Sequence, residues 1–269
     1  MPLEYAVLVI MAGLFVIELF KGSYRRSKVS ANDWIINITS FLQDNMIRPL
    51  FALGIAIACA WALPAHQGAL ATLPFWPTLV AFFLLQDLVH YWYHRLAHEW
   101  TPLWNIHRVH HSPTSMNVMV TSRINFLWQL LMPVNYISGV AIYMGLGEVF
   151  LFWWVFRACQ NYLTHTELRW DLPLYQVSLL KPLVWLVEHV FTTPDAHHAH
   201  HGFGKDGKTN GNYAPVMIFW DHVFGTARLP HAEQTHIGIE DDPVYPWYQQ
   251  LWWPIFKFDK PKHNAVDAK

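Results

Sequence analysis

Long uncharged stretches alternate along this chain with short polar segments crowded with histidine. Residues 5–17 are apolar or small, bounded by Glu4 and Glu18 and followed at once by Lys21, Arg25, Arg26 and Lys28. No small-residue cleavage site follows, so this stretch reads as an uncleaved anchor rather than a removed leader. Between Arg48 and Asp87 lie 38 residues without a formal charge, interrupted by Pro64, Gly68, Pro74 and Pro77. A helix crossing the hydrocarbon of a bilayer needs about 20 residues, which predicts two passes joined by a turn near residues 64–74. A third block runs from Ile124 to Gly147 and continues after Glu148 to Phe156. Its 33 residues, broken by Pro133, Gly139, Gly145 and Gly147, fit either a tight helical hairpin or one span plus a buried helix.

Composition supports this pattern. Hydrophobic residues make up 53% of the 269 positions and charged residues only 14%, against roughly 25% charged in an average soluble domain. The net charge of −1 gives no reason to expect nucleic acid as a partner. None of the 18 Lys and Arg falls in the first 20 residues, in the 65–75 turn or in a second turn expected at 139–149. By the positive-inside rule this five-pass reading puts the N-terminus outside and the C-terminus in the cytoplasm, at the inner membrane if the source is bacterial. Cys59 and Cys159 lie far apart in apolar runs, a packing role rather than a disulfide or thiolate site.

The 17 histidines change the picture, because they cluster where the apolar runs end. His94 and His98 are four apart and share a helical face. His107, His110 and His111 form a His-x-x-His-His string, His165 stands at the end of the last apolar block, and His197, His200 and His201 repeat the same string. Nine imidazoles gathered together would repel when protonated and waste hydrogen bonds when buried, unless a metal shared their lone pairs. Nine ligands exceed what one ion can use, so two ions are the economical reading. A nitrogen-rich, sulfur-free set excludes iron–sulfur clusters and leaves Zn, Cu, Fe and Ni open.

The stretch from about residue 79 to 228 resembles the fatty acid hydroxylase and sterol desaturase superfamily of integral-membrane diiron enzymes. The motifs follow one another in order: Asp87 ahead of His94-Arg-Leu-Ala-His98, then Leu103-Trp104-Asn-Ile-His107-Arg-Val-His110-His111-Ser112, the isolated His165, and Thr193-Pro194-Asp-Ala-His197-His-Ala-His200-His201-Gly202. Asn212-Tyr213 and Trp220-Asp221-His-Val-Phe224-Gly225-Thr226 complete the series. The general look is nearest the branch with alkylglycerol monooxygenase and bacterial sterol desaturase-like proteins. The resemblance implies O₂-dependent hydroxylation, or alternatively desaturation, of a membrane lipid (acyl, ether-lipid or sterol-like). It implies two iron ions held by His94, His98, His107, His110, His111, His165, His197, His200 and His201, with zinc as a substitute in purified protein. With few cysteines and no spare soluble domain, the electrons are expected from a separate donor, a ferredoxin or small haem protein with its reductase.

Some positions depart from the pattern. His90, one turn before His94, is read as supporting or packing rather than ligating. Asp87 either hydrogen-bonds a ligating imidazole or caps or salt-bridges Arg95, and Glu188 upstream of the last string is read as supporting the site. His198 is expected to point elsewhere, Asp221 to be structural, and Gly211-Asn212-Tyr213-Ala214 replaces a commoner Asn-Tyr-Gly. A membrane zinc hydrolase and a metal carrier are the rival classes. A hydrolase would want a His-Glu-x-x-His string, which is absent, and a carrier would want ionisable groups along a mid-membrane path.

The expected fold is all-α: an integral-membrane helical bundle of about four to five membrane helices or hairpins, with a cytoplasmic helical cap carrying the histidines. It reads as one unit over 1–269, with membrane helices in 1–78, the family-like core in 79–228 and an interfacial tail in 229–269. Within that tail, residues 245–256 look like an amphipathic element resting on a membrane surface, and the last dozen residues look unstructured.

Overall fold

Proline and glycine break the uncharged runs into antiparallel helix pairs, and the computed structural model describes the resulting chain over residues 3–259. The polar last ten residues lie outside the described residues. The first helix is α1 (Leu3–Phe20), followed by the single turn α2 (Ser23–Arg26). Helix α3 (Ala31–Ala62) opens with a capping box between Ser30 and Asp33. The turn at residues 63–74 leads into α4 (Phe75–Glu99), and α5 (Thr101–His111) follows after one residue, with Pro102 suited to its first turn. Pro133 splits the third apolar block into α6 (Phe126–Leu131) and α7 (Pro133–Tyr143), and α8 (Gly147–His165) completes a hairpin. The remaining helices are α9 (Leu172–Gln176), α10 (Lys181–Val190), α11 (Pro194–His201), α12 (Phe219–Val223) and α13 (Trp247–Trp252). Apart from one isolated bridge between Gly202 and Ile237, no β-structure occurs among the described residues. The all-helical expectation is borne out.

The two hairpins meet at their tips. The Gly68 and Leu70 amides donate to the carbonyls of Tyr143 and Met144 at 3.1 and 2.8 Å. Gly145 takes φ +101 there, and a Cβ on it would lie 2.8 Å from that of Ala71. Both turns fall where the prolines and glycines placed them. Phe82, Ala141, Val149 and Trp153 pack into a buried cluster on these hairpins. Helices α4 and α8 therefore start at the same end of the molecule and run away from it, and their last turns carry His94, His98 and His165. The opposite end is polar and contains α5 and α11.

Helix α3 is longer than the charge map implies. It runs for 32 residues, about 48 Å at 1.5 Å per residue, starting 18 residues before the uncharged run. It passes through Asp44 and Arg48 because the two are four apart and pair on one face at 2.7 Å. By length and composition it is the one described helix suited to crossing a membrane, with Tyr5–Phe20 a shorter apolar helix. Large apolar side chains point outward along α3 and the first turns of α4, among them Leu53, Ile57, Trp61, Trp76 and Val80. Glu18 is instead drawn fully inside, accepting from the Tyr24 hydroxyl, the Val118 and Glu167 amides and the Thr166 hydroxyl. The aromatic tail segment is partly built into the body: Leu251 on α13 is buried against Ile36 and Val109, while Val244, Ile255 and Phe256 stay exposed.

Candidate metal centre

Nine histidines reach one another from α4, α5, α8 and α11, and they divide into two groups. His94, His98, His107, His111 and His200 form one, with a ligand atom from each within 4.8 Å of all the others; His110, His165, His197 and His201 form the second on the same criterion. Helix geometry explains the division. At about 100° per residue, positions i and i+4 lie about 40° apart, while i+3 lies about 60° to the other side. His107 and His111 therefore face one group and His110 the other; His197 and His201 face the second group and His200 the first. Each His-x-x-His-His string thus serves both groups.

The hydrogen bonds fix which ring nitrogen is bare. A carbonyl only accepts, so Nδ1 of His94 carries the proton it donates to the Tyr213 carbonyl at 2.6 Å. His200 Nδ1 likewise donates to Gly211 at 2.6 Å and His165 Nδ1 to Asn161 at 2.7 Å. The Nε2 lone pairs of His94 and His200 then face each other at 3.2 Å with no proton between them. His94 Nε2 is also 2.9 Å from that of His107, and His165 Nε2 is 2.9 Å from that of His197. Lone pairs aimed at one point repel unless a cation shares them, so this donor set fits a metal ion in each group. Nδ1 of His110 and of His111 is buried without a partner. Burial, followed by the neighbouring imidazoles, holds His107, His110, His111, His197 and His201 well below the usual histidine range, and burial does the same to His200. All six are therefore neutral near pH 7, the form that binds metal. Neither group contains a carboxylate.

The carbonyls that orient the rings sit on a loop held by acids. Asp221, fully buried, accepts from the Tyr213 amide at 2.8 Å, the Ala214 amide at 2.9 Å and the Thr226 hydroxyl at 2.6 Å. Asn212 adopts φ +53, and its side chain joins the carbonyls of Ala196 and Arg228. The sequence marked Asn212-Tyr213 and Asp221 as motif positions but gave no sign that Tyr213 and Gly211 act through their carbonyls. It also missed the buried Arg169–Asp171–Asp195 network, in which Asp195 receives the His231 and Ala232 amides and so anchors the start of α11.

Asp87 and Glu188, expected to support the site, make other contacts, while His90 stays outside both groups as expected. Asp87 bonds neither a ligating ring nor Arg95; its oxygens accept the Val216 and Met217 amides at 3.2 and 3.0 Å. Arg95 pairs instead with Glu99, one turn on. Glu188 accepts from His231 Nε2 at 2.8 Å and not from a grouped ring. His90 belongs to neither group and accepts from Arg157 at 2.9 Å. His198 turns away, with Nε2 donating to the Thr166 carbonyl at 3.1 Å.

A cavity of about 160 Å³ opens beside the rings of His94, His107, His110, His165 and His197. Trp128 stacks on His107 along its wall, centroid to centroid at 4.4 Å.

Several known proteins resemble this chain. The chain is 30% identical over 165 residues to an alkylglycerol monooxygenase of Xenopus tropicalis, covering 58% of this chain and 32% of that protein. It is 27% identical over 260 residues to that of Danio rerio, covering 90% and 54%. An ornithine lipid hydroxylase of Rhizobium tropici is 28% identical over 215 residues, covering 76% and 59%. The chain thus spans between a third and three fifths of the length of these relatives. No solved structure matches it. A family model described as fatty acid hydroxylase matches residues 79–226, which hold all nine grouped histidines, and the chain belongs to that family.

Proposed function

We propose that this chain is a membrane-embedded hydroxylase that uses O₂ to oxidise a lipid C–H bond, with one iron held by His94, His98, His107, His111 and His200 and a second by His110, His165, His197 and His201. The facing lone pairs of the two groups carry this reading. Bound iron supplies the oxidising chemistry: RH, O₂, two electrons and two protons give ROH and H₂O. The chain's own residues orient the imidazoles through the carbonyls of Tyr213, Gly211 and Asn161 and bury the rings apart from the cavity beside them. The carboxylate-free ligand sets weigh against a hydrolase built on a metal-activated water beside an acidic base. The relatives' names, monooxygenases and hydroxylases of lipids, point the same way.

The hairpin tips and outward apolar side chains belong in the bilayer on this reading, with the histidine-bearing end and C-terminus at the cytoplasmic interface. There the lipid enters sideways and a separate ferredoxin or small haem protein delivers electrons. The test is lipid mass spectrometry on host membranes expressing wild type or His110→Ala, with and without ¹⁸O₂. A lipid that gains labelled oxygen only with wild type establishes the activity and names the substrate. Loss of two hydrogens without label makes it a desaturase. An unchanged lipid profile, from iron-loaded protein given the source lipids and a working donor, overturns the reading.

A further inference from the structure

The cavity beside the rings is not the apolar slot that a hydrocarbon tail alone would need. Its lining also includes two guanidinium groups, Arg48 from α3 and Arg157 from α8, and one carboxylate, Asp44. Arg48 is paired with Asp44 at 2.7 Å, and Asp44 also accepts from Gln129. Arg157 has no carboxylate within ion-pair distance among the described residues. Its Nη2 donates to His90, its Nε is buried without a partner, and its guanidinium lies over Trp153 at 5.3 Å. Asp87 and Asp44 act on Arg157 only from beyond ion-pair distance; the Val216 and Met217 amides occupy the oxygens of Asp87, and Asp44 pairs with Arg48. The cavity lining therefore holds a guanidinium with no direct ion-pair partner among the described residues. Burying an unpaired guanidinium costs several kcal/mol, and an ionisable group kept among apolar helices marks a binding or transport site.

We propose that Arg157, with Arg48 at the mouth of the cavity, binds the anionic head of the lipid substrate, a carboxylate or a phosphate, and so fixes which carbons meet the metal centre. A guanidinium offers a planar fork of N–H donors suited to either oxyanion, and the free Nε is one of them. His90 links this anchor to the centre: its ring accepts from Arg157 and lies 6.0 Å, centroid to centroid, from the ring of His94. A head held at Arg157 shares the cavity with the ligating rings, so the carbons presented for oxidation are those nearest the head and not the chain terminus. This inference rests on the lipid-oxidising reading for its product but not for its binding step.

The experiment measures binding without turnover. Purified, metal-loaded full-length protein in dodecyl maltoside is titrated by thermophoresis with palmitate, 1-palmitoyl lysophosphatidate and neutral 1-palmitoylglycerol. At least one anionic amphiphile is expected to bind tenfold or more tightly than the glyceride, and the preference should shrink with added salt. Which anion wins identifies carboxylate or phosphate as the head. Arg157→Gln should abolish the preference while glyceride affinity stays within twofold, and Arg157→Lys should retain part of it. Equal binding of all three by wild type overturns the proposal, even if Arg157→Gln fails to fold. So does an undiminished preference in a folded, metal-loaded Arg157→Gln protein. Metal content and ¹⁸O incorporation are read separately, so a failed anchor and a failed oxidase are distinguishable.

Discussion

Asp221→Asn tests whether the loop beneath the centre holds the metal through a backbone carbonyl. The carboxylate touches no grouped histidine. It accepts the Tyr213 and Ala214 amides and the Thr226 hydroxyl, and Tyr213 in turn presents its carbonyl to His94 Nδ1. Asparagine keeps the shape but replaces one accepting oxygen with an NH₂ that must face a donor. Losing a charge-assisted hydrogen bond costs about 1.5–3 kcal/mol, and the buried donor left unpaired adds about 1–3 kcal/mol. Part is recovered by local shifts, so a net loss of about 2–4 kcal/mol is expected. Loosening a group that orients a ligating ring typically lowers metal affinity by about 10–100-fold. The control is Val149→Ala, buried in the hairpin cluster at the far end of α8. It removes two methyl groups and leaves a small cavity, costing about 2 kcal/mol without touching the loop. Both variants are unfolded thermally, and both are dialysed against graded chelator before metal analysis. Asp221→Asn should release metal at a chelator concentration at least tenfold lower than Val149→Ala. Equal metal retention at equal loss of stability would falsify the coupling through Tyr213.

Further outcomes follow from the same geometry. His200→Ala leaves four histidines in its group and should release one of the two ions at a lower chelator concentration than wild type, whereas His198→Gln, which alters only the bond to Thr166, should retain both like wild type; elemental analysis after graded chelation separates them. The six histidines named above have folded pKa values depressed below the unfolded 6.5. The unfolded chain therefore binds more protons below pH 6.5. Stability of the metal-free protein should be flat above about pH 7 and fall as the pH drops through the unfolded value; a melting temperature constant from pH 8 to pH 5 refutes this. Gly139 lets α7 approach α3 so closely that an added Cβ would lie 2.6 Å from Ile55 Cγ2. Gly139→Ala should cost about 1–3 kcal/mol by overpacking, and Ile55→Ala in the same chain should relieve part of it.

Much of this architecture was legible in the sequence because its determinants are local. Pro64, Gly68, Pro74, Pro133 and Gly145 marked the turns, since each restricts or frees the backbone at its own position. The clustering of histidines within each string was equally plain, because histidines three and four apart on a helix must lie near one another. The extent of α3 was obscured because Asp44 and Arg48 look like a boundary in a charge map, whereas pairing at i and i+4 lets a helix carry both. The partners of Asp87, Glu188 and His90 were illegible for a different reason. Each is met by a residue 43 to 130 positions away, and no periodicity encodes such a meeting.

The division of the histidines into two groups shows what the repeated string accomplishes. Read along the chain, each His-x-x-His-His looks like a cluster for one ion. In the structure the i and i+4 rings serve one group and the i+3 ring crosses to the other, from α5 in one direction and from α11 in the opposite one. The rings of His111 and His201, one from each group, stack at 4.4 Å with their planes 21° apart. No carboxylate belongs to either group, so the separation of the two groups is set by the two short helices that carry ligands to both. Neither α5 nor α11 can shift toward one group without drawing its ligand away from the other. Buried acids brace this arrangement from outside, Asp195 at the start of α11 and Asp221 under Tyr213. That places the rigidity of the centre in carboxylates that touch no ligating ring, which is why Asp221→Asn is a sharper probe of it than removal of any single histidine.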